Sequence, residues 1–204
     1  MYLSAHPLDP YYMELTYGCN SSCEEFEMNQ EDGVQLTIGG MVASVEEKVG
    51  KRGNPFGIIT IEDFSGKTSL RLFGKSYEAN KNKFTVGDAV MITTRFQQSP
   101  FNPSYLDMKI EDIKNLESVK GRIANSLRIT LDAKYDDKTF FEGLKKFEST
   151  SETDRRGDIF LRLLDYERKQ FITIHSRKKY RIDKELASFL NEFGMQFDIS
   201  EYSR

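Results

Sequence analysis

Apolar and polar residues alternate in short runs between Val34 and Ile113, as they do in β-strands that bury one face. The first run is interrupted by Gly39 and Gly40, and a double glycine within a strand pattern indicates a bulge or a sharp bend. Turn residues separate this run from the later ones. We therefore predict five strands, at residues 34–45, 56–63, 68–73, 89–97 and 105–113.

The order of the elements between residues 34 and 115 indicates a fold class. In the third predicted strand Leu70 and Leu72 point inward while Arg71 and Phe73 point outward, because side chains alternate between the two faces. Residues 75–83 are polar and are predicted to be helical. Three strands, a short helix and two further strands are the order of the five-stranded Greek-key barrel known as the OB-fold.

The hydrophobic pattern becomes mixed after residue 116. Asp136 or Asp137 can cap a helix there, and Gly194 is placed to end the last helix of the chain. We predict a small α/β domain over residues 116–204, with its elements in the order β-α-β-β-α. These elements are a strand at 127–131, a helix around 140–147, strands at 159–164 and 171–174, and a helix from 183 to 193.

The first 33 residues differ from the rest of the chain. One short helix is predicted around Tyr11–Leu15, and the segment from Gly18 to Cys23 then breaks any periodicity. Residues 18–33 are acidic and irregular, which favours a connector. We expect residues 1–33 to be a helical leader and acidic connector that belongs to a preceding domain of a longer chain.

The formal net charge of −3 conceals an uneven distribution of charge. Residues 1–33 carry seven acidic residues and no Lys or Arg, whereas residues 34–115 carry eleven bases and nine acids. Residues 116–204 carry eighteen bases and sixteen acids. Both predicted domains are therefore weakly basic, and the overall charge does not argue against a nucleic-acid partner.

The composition excludes several classes of protein. No run of the sequence approaches 18 apolar residues, so we expect neither a membrane span nor a membrane partner. The first residues lack the basic and apolar segments of a signal peptide. Two Cys in 204 residues cannot build a disulfide scaffold, which favours a reducing compartment. We therefore predict a cytoplasmic protein.

Few residues are placed for catalysis or for metal binding. The two histidines, His6 and His175, lie in different predicted segments. Cys19 and Cys23 would supply, with His6, three zinc ligands, whereas structural zinc sites take four and usually draw them from two close pairs. We therefore expect two ordinary thiols, and we predict no catalytic residue, no metal and no cofactor in this chain.

Basic and aromatic residues occur in the predicted barrel where OB-folds bind single strands, on the face of strands 2 and 3 and in the loops between strands 1 and 2 and between strands 4 and 5. Basic groups neutralise phosphates while aromatic rings stack on nucleobases. The loop between strands 4 and 5 adds Gln98, Phe101 and Asn102. Alternatively, these residues form a solvated rim, or the aromatic rings are covered by a neighbouring domain. The candidate nucleic-acid-binding residues are Lys48, Lys51, Arg52, Phe56, Arg71 and Phe73.

A second group of basic residues lies in the last predicted domain. Residues 177–181 contain four bases, and His175 is close to them in the sequence. This run could contact phosphates. A solvated hairpin edge that charge protects from aggregation is the interpretation we favour.

Residues 2–11 carry the most specific resemblance to a known family. Their sequence, Tyr-Leu-Ser-Ala-His-Pro-Leu-Asp-Pro-Tyr, closely resembles a segment that precedes the OB domain in the alpha subunit of bacterial replicative DNA polymerase III. Ala5 departs from the family, which usually has Gly there. The runs 51–53, 59–66 and 72–73 follow the family's pattern within the barrel, and residues 128–133 resemble the strand that opens its last domain. The chain thus resembles the C-terminal region of that subunit over essentially its whole length.

The resemblance implies a role in bacterial DNA replication. The parent protein would be a DNA-directed DNA polymerase, a nucleotidyltransferase whose two divalent metal ions are held by aspartates in a palm domain upstream of this chain. The family's OB domain is associated with the single-stranded template, and its last domain with the tau subunit of the clamp loader and other replicase subunits. No motif marks a tau contact, and we expect one in the terminal helix around Phe189 and Phe193. The implied template contacts are Lys48, Lys51, Arg52, Phe56 and Arg71.

Two alternatives remain open at this point. OB patterns also occur in the anticodon-binding modules of aminoacyl-tRNA synthetases, which prefer structured RNA. An OB domain can also dock a protein and bind no nucleic acid.

Overall fold

The computed structural model of the protein describes residues 6–51, 53–100, 102–149 and 156–201. Their packing divides the chain into two compact units between Val119 and Lys120. Arg52 and Phe101, two of the residues predicted in the binding loops, lie outside the described ranges.

The first unit contains an antiparallel five-stranded sheet. The strand order is β3-β2-β1-β4-β5, and a short helix separates β3 from β4, which confirms the predicted OB-fold. The strands are β1 (Gln35–Val49), β2 (Pro55–Glu62), β3 (Lys67–Phe73), β4 (Ala89–Gln98) and β5 (Leu106–Asn115). The helices are α1 (Tyr12–Gly18), α2 (Gly74–Asn80) and α3 (Leu116–Val119), with 3-10 turns at Asp9–Tyr11 and Lys81–Lys83.

Strand β1 is long because it pairs with two neighbours. Its first half, residues 35–41, is hydrogen-bonded to β4, and residues 41–49 are hydrogen-bonded to β2. A Cβ atom at Gly40 would lie 2.4 Å from the carbonyl oxygen of Glu62, so this position requires glycine. The ladder shifts its register between Val42 and Ser44. The double glycine therefore marks a close approach of two backbones, and the shift in register begins two residues after Gly40.

The core of the first unit lies on the inner face of the sheet. In β3 the buried and exposed residues alternate strictly, so Leu70 and Leu72 face inward as predicted, while Arg71 and Phe73 face solvent. Burial of these apolar side chains is the main favourable term in folding. The core also contains Leu36, Ile38, Val42, Ile59, Ile61, Ile92 and Phe96.

The acidic segment before β1 contributes to this core. Phe26 is 1% exposed, and its ring packs edge-on against Phe96 with the ring centroids 5.7 Å apart. Cys23 is buried in the same cluster. We predicted a connector over residues 18–33, and the structure shows that this segment also closes one side of the barrel. The sequence shows no periodicity there because the segment consists of turns, in which buried residues have no regular spacing.

Asp63, in the turn between β2 and β3, attaches this segment to the barrel. Its carboxylate accepts hydrogen bonds from the backbone N–H groups of Cys23 at 2.8 Å and Gly66 at 3.1 Å. It also accepts hydrogen bonds from the backbone N–H and the hydroxyl of Ser65. Although partial burial alone would raise the pKa of Asp63, these hydrogen bonds lower it below its usual value.

The second unit is a four-stranded sheet with two described helices. The strand order is β8-β7-β6-β9, in which β6 is parallel to β7 and the other pairs are antiparallel. The strands are β6 (Ser126–Asp132), β7 (Arg156–Asp165), β8 (Gln170–Arg181) and β9 (Gln196–Ser200). The helices are α4 (Lys138–Lys145) and α5 (Lys184–Glu192).

The predicted order of the second unit is correct but incomplete, since β9 follows α5. This strand of five residues pairs with β6 at the sheet edge. It follows Gly194, which has a φ of +64° and ends the helix as expected. The alternation of Phe197 and Ile199 is too short to separate a strand from a loop in the sequence.

Both helices of the second unit are capped by an aspartate, the first by Asp137, one of the two predicted caps, and the second by Asp183, near which the helix was predicted to begin. The carboxylate of Asp137 accepts hydrogen bonds from the N–H groups of Thr139 and Phe140. The carboxylate of Asp183 accepts one from Leu186. These bonds satisfy backbone donors that have no partner within the helix.

The basic run at 177–181 lies on β8, which is an edge strand, as we interpreted it. Several of its charges are paired within the unit. Lys178 forms an ion pair with Glu148, and the Nζ atom of Lys179 lies 2.7 Å from Asp158. Charged side chains on an exposed edge discourage pairing with another strand.

Replacing Phe26 with Ala should destabilise the first unit by about 3–5 kcal/mol, because it leaves a cavity beside Phe96. The free energy of unfolding in urea measures this effect. Met28 is 72% exposed in the same segment, so Met28→Ala is a matched control that should change stability by less than about 0.5 kcal/mol. Equal stabilities of the two variants would show that residues 18–33 do not support the barrel.

Candidate nucleic-acid interface

A row of three side chains crosses the outer face of β1, β2 and β3. Lys48 is paired with Phe56, and Phe56 is paired with Phe73 on the next strand. The two rings are stacked, with centroids 5.2 Å apart and an angle of 25° between their planes. Phe73 is 60% exposed and Phe56 is half-buried. The row therefore presents a flat aromatic surface beside a lysine.

The next row on the same face combines one base, one acid and an apolar residue. Glu46 is paired with Ile58, and Ile58 is paired with Arg71. The Nζ atom of Lys48 lies 3.1 Å from Glu46, so these two exposed charges partly neutralise each other. Arg71 is exposed and has no carboxylate partner within the ranges that the structure describes. It is the cation of this face most available to a ligand.

Toward its other end the outer face becomes polar. The hydroxyl groups of Thr60 and Ser69 lie 3.3 Å apart across β2 and β3. Beyond them Lys67 forms an ion pair with Glu62, at 3.1 Å. The aromatic and cationic groups that could hold a single strand are therefore concentrated at the Phe56 end.

The inner side of the same strands supports the aromatic row. A Cβ atom at Gly57 would lie 2.6 Å from the ring of Tyr77 in α2, so the ring packs directly on the β2 backbone. The hydroxyl of Tyr77 donates a hydrogen bond to Glu47 on β1, and this bond raises the pKa of Tyr77 to about 12. Helix α2 begins directly after Phe73, the last residue of β3. The contacts of Tyr77 with β1 and β2 therefore hold the end of β3 in place.

The loops hold the other predicted residues. Lys51 is exposed in the β1–β2 turn, where the N–H of Gly50 donates to the carbonyl of Asn54 at 2.9 Å. In the β4–β5 loop the side-chain amide of Gln98 donates to the carbonyl of Pro103, and the side-chain carbonyl of Asn102 accepts from the N–H of Ser104. Both predicted loop amides are therefore engaged within their own loop. Arg52 and Phe101 lie outside the described residues.

One exposed ring of this loop was missed by sequence reasoning. Tyr105 is 65% exposed at the end of the β4–β5 loop. We assigned it to the start of the fifth strand, which begins instead at Leu106. The signal that could have identified it is the turn sequence Asn-Pro-Ser at residues 102–104, which extends the loop up to Tyr105.

In the second unit, the aromatic residues that we expected to contact tau pack against other rings of the same unit. Phe189 is stacked on Phe140 of α4, with centroids 5.7 Å apart, and Phe193 packs edge-on against the same ring. The helix residues suggested for a tau contact are thus half-buried within the unit itself. The large apolar side chains that are exposed there instead lie in the β7–β8 hairpin, and they are Tyr166, Phe171, Ile172 and Ile174.

The candidate metal ligands have other roles. Burial raises the pKa of Cys19 to about 12 and also raises that of Cys23. The ring of His6 packs against Phe64, with centroids 4.9 Å apart. Within the described ranges no three His, Cys, Asp or Glu side chains are grouped as metal ligands.

No helix in the described part of the chain is both long and apolar enough to cross a membrane.

Comparison with known proteins identifies relatives of both parts of the chain. A tRNA anti-codon family model, described as an OB-fold nucleic acid binding domain, matches residues 36–116. The DNA polymerase III subunit alpha of Pasteurella multocida is 29% identical over 71% of this chain and 12% of its own length. The Vibrio cholerae subunit is 26% identical over 78% of this chain and 13% of its own length. The resemblance found in the sequence is confirmed, and the chain spans about one eighth of these relatives.

Two solved structures are similar to part of the chain. A mitochondrial single-stranded DNA binding protein from S. cerevisiae is 15% identical, with a TM-score of 0.31, over 42% of this chain and 96% of its own. An asparaginyl-tRNA synthetase from Pyrococcus horikoshii is 19% identical, with a TM-score of 0.30, over 47% of this chain and 22% of its own.

Replacing Gly57 with Ala should destabilise the first unit by about 1–3 kcal/mol, because the added methyl group would overlap the ring of Tyr77. Thermal unfolding measures this effect. Gly66→Ala is the matched control, since a Cβ atom there meets no atom within 4 Å. A Gly57→Ala variant as stable as the Gly66→Ala variant would contradict the packing of α2 on β2.

Proposed function

We propose that this chain, a homologue of DNA polymerase III alpha subunits that carries an OB-fold domain, holds single-stranded template DNA on the outer face of β1, β2 and β3. The observation that carries the proposal is the stacked, exposed pair of Phe56 and Phe73 beside two cations, Lys48 and Arg71. A nucleobase stacks on such a ring while the cations contact the phosphates on either side of it.

The charges on this face set the expected strength of binding. Three bases, Lys48, Lys67 and Arg71, share the face with two acids, Glu46 and Glu62, so the excess of positive charge is small. One stacked base contributes about 1–3 kcal/mol. We therefore expect weak binding that falls steeply with salt concentration.

The proposal is tested by fluorescence anisotropy with a labelled oligo-dT over a series of salt concentrations. Phe73→Ala should weaken binding about tenfold, because the ring on which a base stacks is removed. Arg71→Glu should weaken binding by a similar factor at low salt, and should reduce the slope of log affinity against log salt by about 0.7 for each phosphate that is no longer neutralised. Met28→Ala and Lys138→Glu, both at exposed positions off this face, are the matched controls.

Unchanged affinity in both Phe73→Ala and Arg71→Glu would exclude this face as the binding site. Preference for a structured RNA hairpin over oligo-dT would favour the anticodon-type alternative, to which the family match at residues 36–116 lends support. The absence of binding at about 50 mM salt, where phosphate contacts still contribute, would favour an OB domain that docks a protein.

In the same proposal the second unit docks the tau subunit of the clamp loader and thereby connects the polymerase to the other replicase subunits. DNA synthesis would belong to the remainder of a longer bacterial, cytoplasmic polymerase, whose palm domain would hold the two metal ions. Support for a docking role comes from the β7–β8 hairpin, since Ile172 and Ile174 are 65% and 46% exposed on one strand face. Contiguous exposed apolar surface marks interaction sites more often than scattered apolar residues do.

Replacing Ile172 with Glu should weaken tau binding by about tenfold or more, because a charge would have to be buried at the interface. Isothermal titration calorimetry of the whole chain with purified tau measures the affinity. Lys138→Glu, an exposed substitution on α4, should leave it unchanged. Tau binding that is unaffected by Ile172→Glu would exclude the hairpin, and no binding by the folded wild-type chain would overturn the docking role.

A further inference from the structure

The sheet of the second unit has a second face that the two helices do not bury. On the helix side Leu127, Ile129 and Leu131 of β6 are all buried. The opposite side of the same strand carries Arg128, which is exposed, and Thr130, which is half-exposed. Side chains alternate between the faces, so one face forms the core while the other is available to a ligand.

The open face carries an arginine with an unused hydrogen-bond donor. Arg162 on β7 lies between Thr130 of β6 and Thr173 of β8 in one row of the sheet. Its Nε atom is buried and has no hydrogen-bond partner, and within the described ranges the side chain has no carboxylate partner. The residue as a whole is only half-buried, so an anionic group placed over the row would contact the accessible part of the side chain rather than the buried Nε atom.

Two aromatic contacts surround this arginine on the same face. The rings of Phe160 and His175 are stacked across β7 and β8, with centroids 4.4 Å apart and an angle of 16° between their planes. The guanidinium group of Arg162 lies over the ring of Phe171, 4.2 Å from its centroid. Phe171 is 57% exposed. The outer side of its ring is therefore open to a further planar group.

The acids of this face are engaged by other residues. Asp158 lies 2.7 Å from both the Nε2 atom of His175 and the Nζ atom of Lys179, and these partners lower its pKa although partial burial alone would raise it. Asp198 pairs with Arg128 at 3.5 Å. Asp132 ends β6 and accepts a hydrogen bond from the N–H of Lys134. Asp132 keeps its negative charge at the end of β6, whereas in the row of Thr130, Arg162 and Thr173 the charge without an opposite partner among the described residues is the positive charge of Arg162.

We propose that the open face of β6, β7 and β8 is a second binding site for single-stranded nucleic acid, with a phosphate on Arg162 and a base on Phe171. The chemistry resembles that of the face in the first unit, where Arg71 and Phe73 are neighbours on one strand. It differs in that the cation and the ring already contact each other. The site is independent of the proposed template site, since its residues all belong to the second unit.

Nucleic acid is favoured over an acidic protein because the face joins a cation to flat rings. A phosphodiester chain alternates anionic groups with planar bases, and both features match groups on this face. A carboxylate-rich segment would use Arg162 but would have no need for the rings of Phe160 and Phe171.

The chain contains no Trp, so a single introduced Trp reports on one face at a time. In the whole chain, Phe171→Trp fluorescence should be quenched saturably by oligo-dT at low salt through stacking. Adding Arg162→Gln should raise the midpoint concentration about tenfold, as expected when a hydrogen-bonded charge is removed. The salt dependence of binding should fall by about 0.7 in slope. Met28→Trp, at an exposed position of the first unit, should show no saturable quenching.

Each other outcome counts against the second site. No quenching of the Phe171→Trp variant, or quenching that Arg162→Gln does not weaken, would overturn it. An abasic phosphodiester or poly-glutamate could also compete with oligo-dT at equal charge concentration. Displacement by either polymer would show that the face recognises negative charge without bases, which overturns the proposal and makes an acidic protein the better partner. A parallel Phe73→Trp variant reports on the first face, so failure of the template site and failure of this site are distinguishable.

Discussion

The outer face of the barrel depends on one constraint, namely that β1 must pair with β2 along one half and with β4 along the other. The two ladders meet at Met41, next to the glycines that allow a close approach. At Gly40 that approach brings the end of β2 so near that any side chain would overlap the carbonyl of Glu62. Since β2 takes its register from β1, and β3 from β2, the row formed by Lys48, Phe56 and Phe73 follows from this crossing.

Both units combine a covered face with an exposed face that joins an arginine to aromatic rings. In the first unit the cover comes from the inner core, to which Phe26 of the leader contributes. In the second unit it comes from α4 and α5, whose aromatic side chains pack on one another. In each case a two-residue period places the charged and aromatic groups on the side that the cover leaves open.

Much of the fold could be predicted from the sequence because strand alternation is a local property. The inward positions of Leu70 and Leu72 and the caps at Asp137 and Asp183 all depend on residues within a few positions of each other. The contribution of Phe26 could not be predicted, because its partner Phe96 lies seventy positions away. The packing of the terminal helix could not be predicted either, since the ring partners of Phe189 include Phe140 and Phe147, more than forty positions away.

The sequence by itself determined which side chains share a face of strands 2 and 3, and it therefore identified Phe56, Arg71 and Phe73 as candidates. It placed Lys48 in the loop after the first strand, whereas β1 extends to Val49 and carries Lys48 on the same face. The tertiary structure decided which of them meet. It stacked Phe56 on Phe73, paired Lys48 with Glu46 and left Arg71 exposed. The physical reason is that alternation is set by the geometry of one strand, whereas contacts depend on register between strands, which close approaches such as that at Gly40 establish.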